Sequence, residues 1–373
     1  MSTANPDLPY YLAFGRIKGI GAARIRRLKS HFGTLQQAWV AEAVDLAEAG
    51  LDARALGAIV EGRRAVHPET ELERLARVGA CAITWEDPDY PRLLAQVPDA
   101  PPVLFVRGTL SPQDEWAVAI VGTRRASLYG KQVADMLATE LARASVVVVS
   151  GLARGIDAVA HEAALKAGGR TLAVLGCGVD VVYPPEHARL AQRIVEHGAL
   201  ISDYPPGTPP DAQNFPPRNR IISGLSLGVV VVEADERSGA LITAQFAAEQ
   251  GRDVFAVPGN IFNQSSRGTN QLIREGAKVV TNVQCILEEL NLERAPEQLA
   301  LSQAVPEDET ERQLLAQLSH DPVEMDVLVR ALGLPPDQVA ARLALMELRG
   351  LVRQAGSAGY VLAREHREAY GET

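Results

Sequence analysis

The sequence predicts an α/β protein: a doubly wound parallel sheet in the middle of the chain, with a helical domain before it and a winged-helix-like domain after it. Three observations carry this prediction. Between residues 101 and 290, short β-branched runs alternate with helical stretches, the pattern of strands joined by crossover helices. Residues 8 to 75 show helical periodicity broken by glycines, and the last sixty residues show three helical repeats followed by a hairpin-like ending.

Length and composition agree. A chain of 373 residues suits two or three domains. With 47% hydrophobic and 22% charged residues it has the proportions of a folded globular protein rather than a disordered or fibrous one. No apolar run reaches the roughly 18 residues of a membrane helix, and the start, MSTANPDLPYYLAF, lacks a basic region and a cleavable apolar stretch, so a cytoplasmic protein with no membrane partner is expected. Cys81, Cys177 and Cys285 lie about a hundred residues apart, which excludes CxxC metal spacing and argues against a disulfide framework. No metal and no cofactor are expected.

The expected boundaries are residues 1–100 for the helical domain and its connector, 101–290 for the α/β domain, 291–311 for an acidic linker with two prolines, and 312–373 for the winged-helix-like domain. The formal charge of −9 divides among residues 1–110, 111–290 and 291–373 as 0, −3 and −6, so acidity is concentrated at the C-terminal end. A net negative charge counts against a nucleic-acid partner in general, but the central region is close to balanced.

In the first domain, Gly19-Ile20-Gly21 makes a tight turn between two apolar-periodic stretches and is followed by Arg24, Arg26, Arg27 and Lys29. This fits a helix-hairpin-helix offering backbone N–H groups to a phosphate. It fits equally a small packing module of the sterile-alpha-motif (SAM-like) kind with a solvated Arg face.

The strand candidates of the central domain are VLFVRG ending at Gly108, AVAIVG at Gly122, VVVVSG at Gly151, TLAVLG at Gly176, ALISDY at Tyr204, VVVVEA at Ala234 and DVFAVPG at Gly259. Open α/β sheets bind ligands beyond the carboxyl ends of their strands, so the loops there are the place to look. Gly122-Thr123-Arg124-Arg125 leads to a helix starting near Ser127, where hydroxyls, free N–H groups and Arg124 suit an anion. Gly151, Arg154 and Gly155 form a second loop, running into a helix with Asp157 and His161. These two, four apart on one face, read as a structural hydrogen-bonded pair rather than an acid–base pair, because no Ser, Cys or metal constellation accompanies them. Gly176-Cys177-Gly178 lacks the third glycine of a dinucleotide site.

The densest element is Phe215-Pro216-Pro217-Arg218-Asn219-Arg220. Pro217 suits a first helical turn, which would crowd Arg218, Asn219 and Arg220 at a helix N-terminus, and Phe215 in front of them could stack on a base. The competing possibility is a core Phe with arginines neutralising Asp203 and Asp211. Ser238-Gly239 opens a further helix at another strand end, and together these elements form a track rather than a point. In the last domain, Pro335 to Arg349 offers only Arg342 and Arg349 against Asp337 and Glu347, so a protein contact is at least as good a reading as DNA binding.

With AIVGTRRASLYG, SGLARGIDAVAHEAAL, AVLGCGVDVVYPPEH, FPPRNRIISGLS, VVVVEADERSGALITAQFAAEQGRDVFAVPG and RGTNQLIREGAKVV in order, the chain resembles the DNA-processing protein A (DprA/Smf) family over about Val103 to Val283. The resemblance implies an extended Rossmann-like fold and a non-catalytic protein that binds single-stranded DNA without marked sequence preference. It further implies protection of incoming DNA during natural transformation, loading of RecA recombinase past single-strand-binding protein, and a homodimer. Arg124 stands at the arginine of the family's GSR-type loop, with Thr123 in place of serine, and Phe215, Arg218 and Arg220 stand in FPxRNR. Leu272 and Ile273 are candidates for the dimer seam. The competing reading is a nucleotide-cleaving enzyme of the lysine-decarboxylase-like phosphoribohydrolase type, whose PGGxGTxxE run is absent: Pro258-Gly259 and Gly268-Thr269 stand too far apart.

Overall fold

The computed structural model describes residues 5–292, 309–318, 323–348, 352–355 and 359–362. They fall into two compact units, Met1–Glu293 and Arg294–Thr373.

The first unit begins with six helices, α1 (Leu8–Arg16), α2 (Ala22–Phe32), α3 (Leu35–Val40), α4 (Ala43–Glu48), α5 (Ala53–Ala65) and α6 (Pro68–Arg77). Their apolar faces bury Tyr11, Phe14, Ile25, Leu28, Leu35, Leu46 and Ile59 in one core that also takes in Val103 and Phe105 of the sheet. The Gly19-Ile20-Gly21 turn forms as expected, with Gly19 at a φ of 92° that favours glycine. Its basic residues are occupied within the fold. Arg24 bonds Gly19 O and Asp52, Arg26 bonds Pro98 O and lies 4.7 Å from the Trp85 ring, and Arg27 bonds Gly50 O. Lys29 pairs with Asp7 and Glu86. This favours the packing module over a phosphate-binding hairpin.

All seven expected strands form: β2 (Val103–Gly108), β3 (Ala117–Val121), β4 (Val147–Ser150), β5 (Thr171–Val174), β6 (Gly198–Ser202), β7 (Gly228–Val231) and β8 (Asp253–Ala256). They are joined by β1 (Cys81–Thr84), as long as β4 but only partly buried and not a β-branched run, and by the two-residue β9 (Lys278–Val279). The order is β1-β2-β6-β5-β4-β3-β7-β8-β9. The sheet is parallel from β6 to β9, whereas β2 runs antiparallel to both β1 and β6. The parallel sheet read from the sequence thus holds for seven strands, and β2, one of the expected strands, joins it antiparallel. No crossover helix separates β2 from β3, only a short 3₁₀ turn at Pro112–Glu115, so β2 cannot join as a parallel neighbour.

Helices α8 (Leu128–Arg143), α9 (Ile156–Lys166) and α10 (Ala188–His197) follow β3, β4 and β5, after the short α7 (Arg92–Ala95). Then α11 (Phe215–Gly224), α12 (Gly239–Glu249), α13 (Arg267–Arg274) and α14 (Gln284–Glu289) complete the unit. Strand side chains alternate between two cores. Ala117, Ala119, Val147, Val149, Val229 and Val231 meet Ile221, Ile222, Ala240 and Ala244 of α11 and α12, while Ala173 and Leu200 meet Leu190 and Ile194 of α10. Both faces are covered, which is why the strands read as nearly unbroken Val and Ala runs. From β3 the chain winds outward to β6, then returns to place β7 on the other side of β3. The strand order therefore reverses between β3 and β7.

The expected acidic linker falls largely on residues 293–308, outside the described residues. In the second unit, α15 (Glu309–Gln317), α16 (Met325–Leu332) and α17 (Pro336–Leu348) accompany a three-stranded sheet of β10 (Val323–Glu324), β11 (Val352–Ala355) and β12 (Gly359–Leu362), in the order β10-β12-β11. Helices followed by a hairpin make this a winged-helix arrangement. Leu314, Leu315, Leu318, Leu328, Val339, Leu343, Met346 and Val352 form its core. Val327 on α16 and Leu345 on α17 are exposed; on α17 the buried stripe runs through Val339, Leu343 and Met346.

Candidate nucleic-acid interface

The reversal of strand order opens a crevice at the carboxyl ends of β3 and β7, where doubly wound sheets bind ligands. A cleft of about 690 Å³ lies there, and its lining includes Thr123, Arg124, Tyr183, Phe215, Asn219 and Ser238.

Gly122 ends β3, and the loop after it is held at both ends by one residue of the neighbouring strand end. Glu233, only 3% exposed, accepts the Thr123 N–H on its main-chain oxygen at 2.7 Å. Its carboxylate accepts the Ser127 N–H at 2.9 Å and the Ser265 hydroxyl at 2.6 Å. Ser127 is the N-cap of α8 and accepts the Gly130 N–H on its hydroxyl. The N-terminus of α8, read from the sequence as an anion site, is thus already served by a carboxylate of the protein itself, and the loop is left to present Arg124 and Arg125.

Arg124 is exposed and makes no ion pair or side-chain hydrogen bond. Its guanidinium stands 5.6 Å from the centre of the Phe215 ring. That ring is half-buried. It lies 5.6 Å from Tyr183, tilted by 36°, and takes the Arg218 guanidinium at 5.8 Å. Beneath it Gly176 leaves the room it needs, since a Cβ there would stand 2.8 Å from Phe215 Cδ1. Aromatic rings and a free guanidinium are therefore interleaved on one wall, an arrangement suited to a polymer that alternates planar bases with phosphates.

The other arginines of the expected track have different surroundings. Arg218 is buried, and its Nη1 donates to Gly151 O at 3.0 Å and to Val174 O, joining the ends of β4 and β5. Burial pulls its guanidinium below the usual arginine range, opposed by Asp157. Arg220 pairs with Asp203 at 2.9 Å and Asp99 at 3.1 Å. Arg154 is exposed but pairs with Glu186 at 2.5 Å. Asn219 donates to Gly239 O at 3.3 Å, tying α11 to the start of α12, where Ser238 caps the helix by accepting the Ala240 N–H. Gly155 has a φ of 79°, and a Cβ there would run into Thr123 O, so only glycine lets the second loop lie against the first. Arg125 and Arg237 are exposed and without ion pairs; the sequence reading passed over Arg237, as it did Tyr183 and Glu233. A lone carboxylate closing an apolar run, VVVVE, was the available signal for Glu233.

Asp157 and His161 do not bond each other, contrary to expectation. The Asp157 carboxylate turns back to accept the Gly151 N–H at 3.0 Å, while His161 Nδ1 meets Thr171 Oγ1 at 2.7 Å. The Thr171 hydroxyl gives its proton to Val148 O, so it accepts from His161, which is therefore the neutral Nδ1–H tautomer with a bare Nε2. Burial, with His187 and Arg218 nearby, lowers its pKa to about 3. Burial pushes the Cys177 thiol up to about 11, which leaves it protonated. Leu272 and Ile273 lie half-buried on α13, Leu272 against the main core.

The family model of DNA recombination-mediator protein A matches residues 81–291, and that of the DprA winged helix domain matches residues 295–357. Protein Smf of Synechocystis is 36% identical, over 94% of this chain and 98% of its own. The X-ray structure of DNA processing protein A from Streptococcus pneumoniae superposes with a TM-score of 0.67 at 37% identity, covering 75% of this chain and 96% of that one. A structure reported for the single-stranded DNA binding mode of DNA processing protein A from Helicobacter pylori superposes at 0.51 with 32% identity, covering 57% and 95%. With an α/β sheet matched over most of its length and a winged helix behind it, the chain belongs to the DNA recombination-mediator protein A family, the DprA/Smf proteins.

Proposed function

We propose that the chain binds single-stranded DNA in the cleft between β3 and β7 and acts, without catalysing a reaction, as a recombination mediator. On this reading it protects incoming DNA in natural transformation, works in the cytoplasm as a homodimer seamed near Leu272 and Ile273, and hands the strand to RecA recombinase past single-strand-binding protein. On the same reading residues 1–100, 101–290 and 312–373 serve as three domains with 291–311 as a linker, the first two sharing the compact unit Met1–Glu293. What most supports the reading is the state of Arg124. It is free of carboxylates, exposed, and held over the Phe215 ring at the mouth of the cleft. Phosphate and base can then be met side by side although the whole chain is acidic. The Helicobacter pylori relative, described as a single-stranded DNA binder, points the same way.

Arg124 is the leading phosphate contact on this reading, helped by Arg125 and Arg237. Gly122, Thr123, Gly151 and Gly155 shape the loops, Ser127, Ser238, Gly239 and Asn219 order the rim, and Arg218 supports Phe215 from below. Arg154 and Arg220 reach a phosphate only by giving up the carboxylates they hold. Titration with labelled single-stranded and duplex oligonucleotides at two salt concentrations tests the function. Preference for the single strand with strong salt dependence is expected; equal binding to duplex, or none to either, would overturn it.

A further inference from the structure

The loop after β8 carries the most exposed large apolar side chain among the described residues. Phe262 is 86% exposed and its neighbour Ile261 is 74% exposed. The loop is nonetheless firmly anchored. The Gly259 N–H donates to Asn270 Oδ1 at 3.1 Å, and Asn270 Nδ2 donates back to Gly259 O at 3.0 Å. Asn260 Oδ1 accepts the Phe262 N–H at 2.9 Å, and Ser265 bonds the Glu233 carboxylate. The Tyr129 hydroxyl, from the first turn of α8, donates to Pro258 O at 3.0 Å. That turn adds the exposed Leu128 and Tyr129 to the same surface.

Two features set this shelf apart from a stray surface phenylalanine. It adjoins the cleft, because the one Glu233 carboxylate bonds both Ser127, behind the Arg124 loop, and Ser265, at the end of the Phe262 loop. It also stands among cations. Arg125, Lys131 and Arg267 are exposed and make no ion pair or side-chain hydrogen bond, although Asp135 lies on α8 with Lys131, and Asp235 and Glu236 lie on the loop after β7 whose main chain packs against Gly268. Unpaired cations interleaved with apolar rings complement a chain of bases and phosphates better than they complement an apolar protein face.

We propose that Leu128, Tyr129, Ile261 and Phe262 form a second single-strand subsite, on which bases leaving the cleft stack while Arg125, Lys131 and Arg267 meet their phosphates. This rests on the reading of the cleft given above. The test uses the full chain and two oligothymidylates, one short enough for the cleft alone to hold and one several times longer. The wild type should bind the longer strand more tightly. Phe262→Ala should weaken the longer strand about tenfold and leave the short one unchanged, Phe262→Trp should restore it, and Arg124→Ala should weaken both. Equal loss on both strands, or none on the longer one, overturns the subsite while the cleft reading stands. So does an altered oligomeric state in Phe262→Ala with DNA binding intact, since the shelf is then a protein contact. Failure of the wild type to bind either strand removes the cleft reading and the subsite with it.

Discussion

The carboxylate of Glu233 accepts the main-chain N–H of Ser127 at 2.9 Å, so a buried side chain of one strand end fixes the helix start that follows another. The second oxygen of the same carboxylate holds Ser265. Glu233→Ala leaves both donors without a partner, and a loss of about 1–3 kcal/mol in unfolding free energy is expected in urea denaturation. Single-strand affinity should fall with it, because the Arg124 loop loses its inner anchor. Glu233→Gln keeps one accepting oxygen and should lose less. A Glu233→Ala protein with wild-type stability and affinity would show that the loop holds its shape unaided.

Arg124 and Arg220 should separate cleanly. Arg124 has no carboxylate to release, so Arg124→Ala should lower the slope of log affinity against log salt by about 0.7, one phosphate contact, with little change in melting temperature. Arg220 is largely buried between Asp203 and Asp99, and Arg220→Ala leaves Asp203 without its partner. A stability loss on the order of 3 kcal/mol with an unchanged salt slope is expected there. The reverse pattern would make Arg220 the phosphate contact.

Phe215 and Gly176 are coupled by contact, since a methyl group at residue 176 would press on the ring at 2.8 Å. Phe215→Ala should weaken single-strand binding by about 1–3 kcal/mol if a base stacks on the ring. Gly176→Ala should weaken it too, by tilting the ring, but should add nothing in the Phe215→Ala background. Additive losses in this double-mutant cycle would mean that the two residues act separately.

Much of this was legible in the residues. Runs such as VVVVSG and VVVVEA can only be strands buried on both faces, and glycine and hydroxyl residues after them mark the loops. Ser127 and Ser238 could be placed as caps because capping is a local property. The fate of the arginines was legible only in part, since Asp203 stood among the carboxylates they could neutralise but which arginine it takes did not show. Whether Arg218, Arg220 or Arg154 faces solvent depends on Val174, Asp203 and Glu186, which are up to 44 residues away and meet them only after folding. The antiparallel β2 was hidden for the same reason, as strand pairing is set by neighbours rather than by composition.

The basic face of α2 gives a prediction of absence. Arg24, Arg27 and Lys29 are held by Asp52, Gly50 O, Asp7 and Glu86, so Arg27→Ala should leave the salt slope of DNA binding where it was. A drop of about 0.7 would restore the helix-hairpin-helix reading.

His161 should weaken the protein as pH falls below neutrality. The ring is neutral when folded, with its bare Nε2 buried and without a partner, and its pKa is lowered to about 3 by burial first and by His187 and Arg218 next. A group whose folded pKa lies below its unfolded value contributes stability that is complete above the unfolded pKa and is lost as pH falls toward the folded one. Here the window opens near the ordinary value of 6.5 and closes near 3. Across most of it the unfolded chain carries one extra proton, so between about pH 7 and pH 5 the wild type should lose about 2 kcal/mol more than His161→Asn in urea denaturation. Asp157 works in the opposite direction, since burial pushes its carboxyl up, but it is present in both chains and cancels in the comparison. Parallel acid limbs in the two proteins would mean that Nε2 of His161 finds an acceptor for a second proton, and the reading of a bare, unpartnered Nε2 would fall.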